Sequence, residues 1–139
     1  MNGYLSAPFD LLNVEDLDVL EQARALSDRL LVGVWSDELV ERVYGRPPVV
    51  SLDERMALLR RLRGVEDVLV HDDVDPVALT DADEGLRMFV VADRPADDLD
   101  AWADHDVELL PVRRTTASLA LRRALALRVP AELADAAVA

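Results

Sequence analysis

The run LLVGVW at residues 30–35 decides the fold, because a continuous apolar stretch of this length is typical of a parallel strand covered on both faces. Shorter runs of the same kind recur along the chain, namely GYLSA at 3–7, VLV at 68–70, MFVVA at 88–92 and VELLPV at 107–112. Helical patterns lie between the runs. Strands that alternate with helices through short loops predict an α/β fold, an open parallel sheet of about five strands with helices on both faces.

Two of the intervening segments have the spacing of amphipathic helices. The apolar positions are Val19, Ala23, Leu26 and Leu30 in the first segment, and Met56, Leu59 and Leu62 in the second, which spans 53–63. Ser51 and Glu54 have the spacing of a capping box, which predicts where the second helix begins.

The composition limits both partners and chemistry. A length of 139 residues suits one domain with its own core, so we predict a single domain over 1–139 that ends in a short helix or tail at 130–139. The net charge of −13 repels nucleic acid and anionic membranes, and we expect neither as a partner. Cysteine and lysine are absent, which excludes disulfides, thiolate chemistry and any role of a lysine ammonium. Without a long apolar run, we expect a cytoplasmic protein.

Histidine and acidic clusters do not predict a metal site. His71 and His105 are too far apart for a paired-histidine motif, and we interpret both as ordinary loop residues. The cluster DDVD at 72–75 lacks the spacing of a calcium loop, so we interpret it as an exposed acidic loop. Trp35 and Trp102 are predicted to be packing residues.

The switch point of the sheet predicts where a ligand would bind. In open parallel sheets this point lies beyond the carboxyl end of the first strand, which here is the segment APFDLLNVED at 7–16. Asn13 is a good helix N-cap, and Glu15 and Asp16 then fall in the first turn of a helix. Carboxylates there stabilise the helix dipole by roughly 0.3–1 kcal/mol each.

Four blocks of sequence occur in a specific order: APFDLLNVED at 7–16, DRLLVGVWSDE at 28–38, GRPPVVSLDER at 45–55 and VEDVLV at 65–70. Together they resemble the cytidylyltransferase-like nucleotidyltransferases, particularly the glycerol-3-phosphate and ethanolamine-phosphate cytidylyltransferases. The resemblance implies a Rossmann-like nucleotidyltransferase fold and a dimer. It also implies a reaction in which a substrate phosphate attacks the α-phosphate of CTP and pyrophosphate leaves.

The resemblance aligns the family's H-x-G-H motif with Asn13, Glu15 and Asp16. In the family, this motif receives the triphosphate at a helix N-terminus. Asn13 cannot become a cation, Glu15 fills space that a glycine leaves open, and Asp16 adds negative charge. We therefore predict a degenerate active site, inactive or impaired, in a binding or partner module. Its expected partners are weakly bound CTP or another nucleotide, and a second copy or a paralogue in a homodimer or heteromer.

Further candidate residues also come from the resemblance. RRTTAS at 113–118 is similar to the family's R-T-x-G-I-S-T-T element, which holds the nucleotide. The nucleotide-binding candidates are Phe9, Asp10, Asn13, Arg113, Arg114, Thr115, Thr116 and Ser118. Arg46 is the candidate for the substrate phosphate, and Tyr44 stands where the family carries its substrate-binding lysine.

Two alternatives stay open. Thr115 or Thr116 could simply cap a helix at 117–127, with its arginines on a solvated face; these are Arg122, Arg123 and Arg128. The chain could also be an active nucleotidyltransferase that transfers CMP or another nucleotide to a phosphorylated alcohol such as glycerol 3-phosphate. In that case Asn13 and two arginines, Arg46 and Arg113, replace the histidine pair, and Mg²⁺ is the cofactor. The hypothesis of an inactive binding or partner module requires no cofactor.

Overall fold

The computed structural model describes residues 1–72, 85–92 and 105–126, which form one parallel sheet and its helices. The elements in chain order are β1 (Asn2–Ala7), α1 (Val14–Ala25), β2 (Leu30–Trp35), α2 (Asp37–Tyr44), α3 (Leu52–Arg60), β3 (Asp67–His71), β4 (Leu86–Val91), β5 (Asp106–Leu110) and α4 (Leu119–Ala126). All neighbouring strands pair in parallel, in the order β3-β2-β1-β4-β5. The predicted open five-stranded sheet is confirmed.

β1 lies at the centre of the sheet, and the direction of winding reverses there. The chain adds β2 and β3 on one side of β1 and then returns to add β4 and β5 on the other. The switch point therefore lies between the carboxyl ends of β1 and β4, where open parallel sheets bind ligands. β2 has its predicted bounds, whereas β5 ends before Pro111, because proline has no N–H to continue the ladder.

The main core lies between the sheet and two helices, α1 and α3. The helix residues in this cluster are Val19, Leu20, Ala23, Met56 and Leu59. Trp35 alternates to the opposite face at the end of β2, where it packs against Leu39 and Val40 of α2. The predicted packing role of Trp35 is therefore confirmed.

Two helix predictions are wrong in detail. α1 ends before Leu26, which is its exposed C-cap, and Leu30 begins β2. The Ser27 hydroxyl donates a hydrogen bond to the Ala23 carbonyl at 2.7 Å, which competes with continuation of the helix. Ser51 is the N-cap of α3 as predicted, but its side chain makes no capping hydrogen bond. The capping box therefore does not form.

Several predictions fall outside the described residues: the acidic cluster beyond Asp72, Trp102, Arg128 and the tail at 130–139. Within the described ranges, no group of three or more acidic or histidine side chains is placed to hold a metal ion. No helix in the described part of the chain is both long and apolar enough to cross a membrane. The cytoplasmic location and the single domain over the whole chain stay predictions.

His71 is not a loop residue, contrary to the prediction. It ends β3 and is only 2% exposed, and its Nδ1 lies 2.7 Å from the hydroxyl oxygen of Tyr4 on β1. Gly33 on the intervening strand makes room for this contact, because a Cβ there would come within 1.9 Å of that oxygen. The histidine is buried because two residues distant in sequence accommodate it.

We predict that Gly33→Ala lowers the free energy of unfolding by about 1–3 kcal/mol, since the added methyl group overpacks the site of the Tyr4 hydroxyl. Urea unfolding of the purified variant measures the loss. In a Tyr4→Phe background the same substitution should cost less, because the oxygen is gone. Equal costs in both backgrounds would show that the tyrosine hydroxyl does not determine the need for glycine.

Candidate functional site

The turn after β1 forms the base of the candidate site. Phe9 and Leu11 have φ angles of 51° and 56°, a left-handed conformation that non-glycine residues rarely adopt. The Phe9 side chain is buried in the main core. The Asp10 carboxylate accepts hydrogen bonds from the N–H groups of Val49 and Val50, both at 2.9 Å. In this structure both predicted nucleotide-binding residues hold the turn in place.

Arg55 of α3 ties the strand ends around this turn together. Its guanidinium donates to the carbonyls of Pro8 and Trp35 at 2.7 Å each and to the carbonyl of Val50 at 2.9 Å. It also pairs with Asp37 at 2.5 Å, and the arginine side chain is fully buried. The sequence reasoning did not single out this residue, although its place at the end of the GRPPVVSLDER block was a usable signal.

We predict that Arg55→Met destabilises the protein by roughly 3 kcal/mol or more, because three backbone carbonyls lose their donor and each unsatisfied group costs about 1–3 kcal/mol. Chemical denaturation gives the value. Arg60→Met on the exposed side of the same helix is the matched control, with an expected change within about 0.5 kcal/mol. Similar losses in the two variants would contradict the role assigned to Arg55.

The start of α1 is closed by its own side chains. Asn13 is the N-cap as predicted: its Oδ1 accepts from the N–H of Glu15 at 2.9 Å, and its Nδ2 donates to the carbonyl of Leu11 at 3.0 Å. The same Nδ2 lies 3.3 Å from Oδ2 of Asp16, whose carboxylate is buried. Glu15 and Asp16 both lie in the first turn, as predicted.

Residues 111–118, which we name the strap, run along one face of α1. The carbonyl of Pro111 accepts from Gln22 at 2.9 Å. Arg113 donates to Asp18, with its Nη2 2.9 Å from Oδ1. These contacts place the strap next to the start of α1, so the structure brings the two predicted parts of the nucleotide site together.

The far end of the strap contacts the first turn of α1 directly. The N–H of Thr116 donates to Oε1 of Glu15 at 3.0 Å, and the Thr116 carbonyl accepts from Nε of Arg122 at 2.5 Å. Arg122 and Arg123 are exposed on α4, as predicted, and Arg122 also makes this contact with the strap. Ser118 caps α4 by accepting from the N–H of Leu121 at 3.3 Å, and the helix begins later than predicted. Thr116 is buried.

Asp18 is the buried acid of α1 that contacts the strap. The hydrogen bond from Arg113 lowers the pKa of its carboxyl below the ordinary aspartate value; burial opposes this shift, and a further hydrogen bond from Gln22 supports it. The Arg113 side chain is 54% exposed and the Asp18 side chain 5% exposed. Asp18 is therefore an ionised partner that neutralises Arg113.

We predict that the stability difference between the wild type and Asp18→Asn depends on pH in one direction. Because the folded-state pKa is depressed, the stabilising contribution is fully present above the unfolded aspartate pKa of about 3.9 and is lost as the pH falls through the lower folded value. Urea unfolding between neutral and acidic pH measures it. A difference that grows in acid would refute the assignment.

The predicted substrate-phosphate residue lies on a different segment. Arg46 is exposed and follows Gly45, the left-handed C-cap of α2, in the loop that Asp10 holds. Tyr44, at the end of α2, packs on Trp35 with a ring-centroid distance of 6.0 Å. Arg114 and Thr115 are exposed on the strap. Binding of nucleotide or substrate by any of these residues stays a prediction.

Comparison with known proteins matches this chain to one family. The sequence model of the Cytidylyltransferase-like family matches residues 8–122. The Bifunctional protein HldE of Koribacter versatilis is 32% identical over 111 residues, which are 75% of this chain and 23% of that protein. The ethanolamine-phosphate cytidylyltransferase of Arabidopsis thaliana is 41% identical over 66 residues, 48% of this chain and 15% of that protein.

An archaeal relative adds to this result, and a solved structure shares the fold. The FAD synthase of Pyrococcus abyssi is 40% identical over 62 residues, 45% of this chain and 42% of that protein. This chain thus matches less than half the length of each of these three relatives. A lipopolysaccharide core biosynthesis protein from Thermoplasma volcanium superposes with a TM-score of 0.65 at 18% identity, covering 84% of this chain and 98% of that one. This likeness shows a shared fold.

Proposed function

This chain belongs to the cytidylyltransferase-like family, and we propose that it is a member with a degenerate nucleotide site that no longer catalyses nucleotidyl transfer. In this proposal it serves as a binding or partner module, in a homodimer or with a paralogue. The observation that carries the proposal is the hydrogen bond from the Thr116 N–H to the Glu15 carboxylate. The N–H group of Thr116 in the strap thereby donates to a carboxylate of the protein itself.

The charges at the start of α1 support the proposal. A nucleotide triphosphate is a polyanion, and a helix N-terminus favours it through free N–H groups and the helix dipole. Here Asn13 takes the N–H of Glu15, while Glu15 and Asp16 bring two carboxylates into the same turn. Each unit charge at about 4 Å from a phosphate oxygen would repel it by about 1 kcal/mol in water and more where water is excluded.

The placement of the arginines also supports loss of catalysis. Phosphoryl transfer depends on cations that neutralise the charge of the transition state. Arg55 is buried against backbone carbonyls, and Arg113 is paired with Asp18. The sequence has no lysine, the first turn of α1 has no histidine, and the exposed candidates Arg46 and Arg114 lie on the loop after α2 and on the strap.

One observation favours an active enzyme as the second candidate. The Arg113 side chain is half exposed on the strap, so a phosphate group could compete with Asp18 for it. In that case Asn13, Arg46 and Arg113 would bind CTP or another nucleotide, and the product would be a CMP ester of a phosphorylated alcohol. Mg²⁺ would be held mainly by the phosphates of the nucleotide.

Turnover of CTP distinguishes the two candidates. We predict that the purified chain with CTP, Mg²⁺ and a panel of phosphorylated alcohols, including glycerol 3-phosphate, releases no pyrophosphate above the protein-free background. Thermal unfolding should show little or no rise in Tm at millimolar CTP, because any binding is weak, whereas a ligand at a hundred times its Kd stabilises by about 2.7 kcal/mol. Sustained pyrophosphate release would establish the active enzyme instead.

A triple variant tests whether the first turn of α1 is the cause. Asn13→His, Glu15→Gly and Asp16→His together remove two carboxylates and supply two imidazoles, so we predict that CTP raises the Tm of this variant. Glu21→Ala removes a carboxylate from an exposed position on the same helix and should gain no response to CTP. A triple variant that folds but ignores CTP would contradict the assignment of the loss to this turn.

A further inference from the structure

The strap is bound to α1 by a regular set of side chains. Glu15, Asp18 and Gln22 are spaced by three and four residues, which places them along one face of the helix. They contact the strap in reverse order, at Thr116, Arg113 and Pro111. The segment and the helix therefore run antiparallel over this contact.

Thr116 is the point at which the strap is fixed most completely. Its N–H donates to Glu15 and its carbonyl accepts from Arg122, so both backbone groups have partners within the chain. The residue is only 6% exposed. Since backbone groups at a buried position require partners, these contacts satisfy both groups of Thr116 within the chain.

We infer that Glu15, Asp18 and Gln22 form an intramolecular latch that holds the strap closed on α1. Glu15 is its decisive member, because its carboxylate acts as a tethered anion on the Thr116 N–H. An incoming phosphate group can reach that N–H only by displacing Glu15. The inference rests on the proposed function, because both treat the nucleotide site as filled by the protein's own side chains. Strap closure can nevertheless be measured without any enzymatic activity.

Limited proteolysis with trypsin reports strap closure directly. The chain has no lysine, so trypsin cleaves only after arginine, and Arg113 and Arg114 lie in the strap. We expect Glu15→Ala to raise the initial rate of cleavage at these two sites by about tenfold, which corresponds to about 1.4 kcal/mol of lost closure. Cleavage after Arg63, in the exposed loop before β3, should stay constant and is the internal reference.

Two further variants separate a latch from general destabilisation. Glu21→Ala removes the same side chain from an exposed position of α1 and should leave strap cleavage at the wild-type rate. Glu15→Gln keeps an oxygen acceptor without the charge, so its rate should lie between those of the wild type and Glu15→Ala. Circular dichroism verifies that each variant is folded, and Glu15→Gln serves as the test variant if Glu15→Ala is not.

Inorganic pyrophosphate provides the second readout. Added to Glu15→Ala, it should slow strap cleavage towards the wild-type rate, because the Thr116 N–H is then available to an external anion; added to the wild type, it should change nothing. Strap cleavage that is the same in Glu15→Ala and Glu21→Ala would overturn the latch, as would a lack of protection by pyrophosphate. Pyrophosphate release from CTP by the wild type would refute the proposed function but not the latch, since the rate of strap cleavage without CTP does not depend on turnover.

Discussion

The buried Arg55 guanidinium is the interaction on which the carboxyl edge of the sheet depends. It joins the end of β1, the end of β2 and the loop before α3 through three carbonyls, while Asp10 binds the same loop from the opposite side. This network holds Phe9 and Leu11 in their unusual backbone conformation. The start of α1 takes its position from that turn, so the candidate site is built on the contacts of Arg55 and Asp10.

In our proposal this protein keeps the frame of a nucleotide site and has lost its chemistry. The switch point and the helix after β1 lie at the edge where open parallel sheets bind ligands, and the strap contacts that helix. The charges are reversed, because Glu15 and Asp16 bring carboxylates to a helix start that elsewhere attracts anions. Within our proposal, Glu15 and Asp18 take over the stabilising role of a polyanion and leave the strap ordered without one. Under this proposal the fold provides a binding surface and does not catalyse a reaction.

The elements were predictable from sequence where local signals suffice. β2 follows from its continuous apolar run, and the start of α1 follows from Asn13 and the acidic residues after it. The contacts of Arg55 and Asp10 were not predictable, since they join backbone groups some forty residues apart without a local pattern. His71 was misjudged for the same reason, because its burial depends on Tyr4 and on the absence of a side chain at Gly33.

We propose that the start of α1 disfavours the triphosphate because the protein's own carboxylates fill it. The most direct test is a titration of the wild-type protein with CTP and Mg²⁺, followed through the backbone amide signals of Glu15 and Thr116 by NMR. We predict no saturable shift of either amide signal at millimolar concentrations of the nucleotide. Saturable shifts of both amides with a micromolar Kd would contradict it.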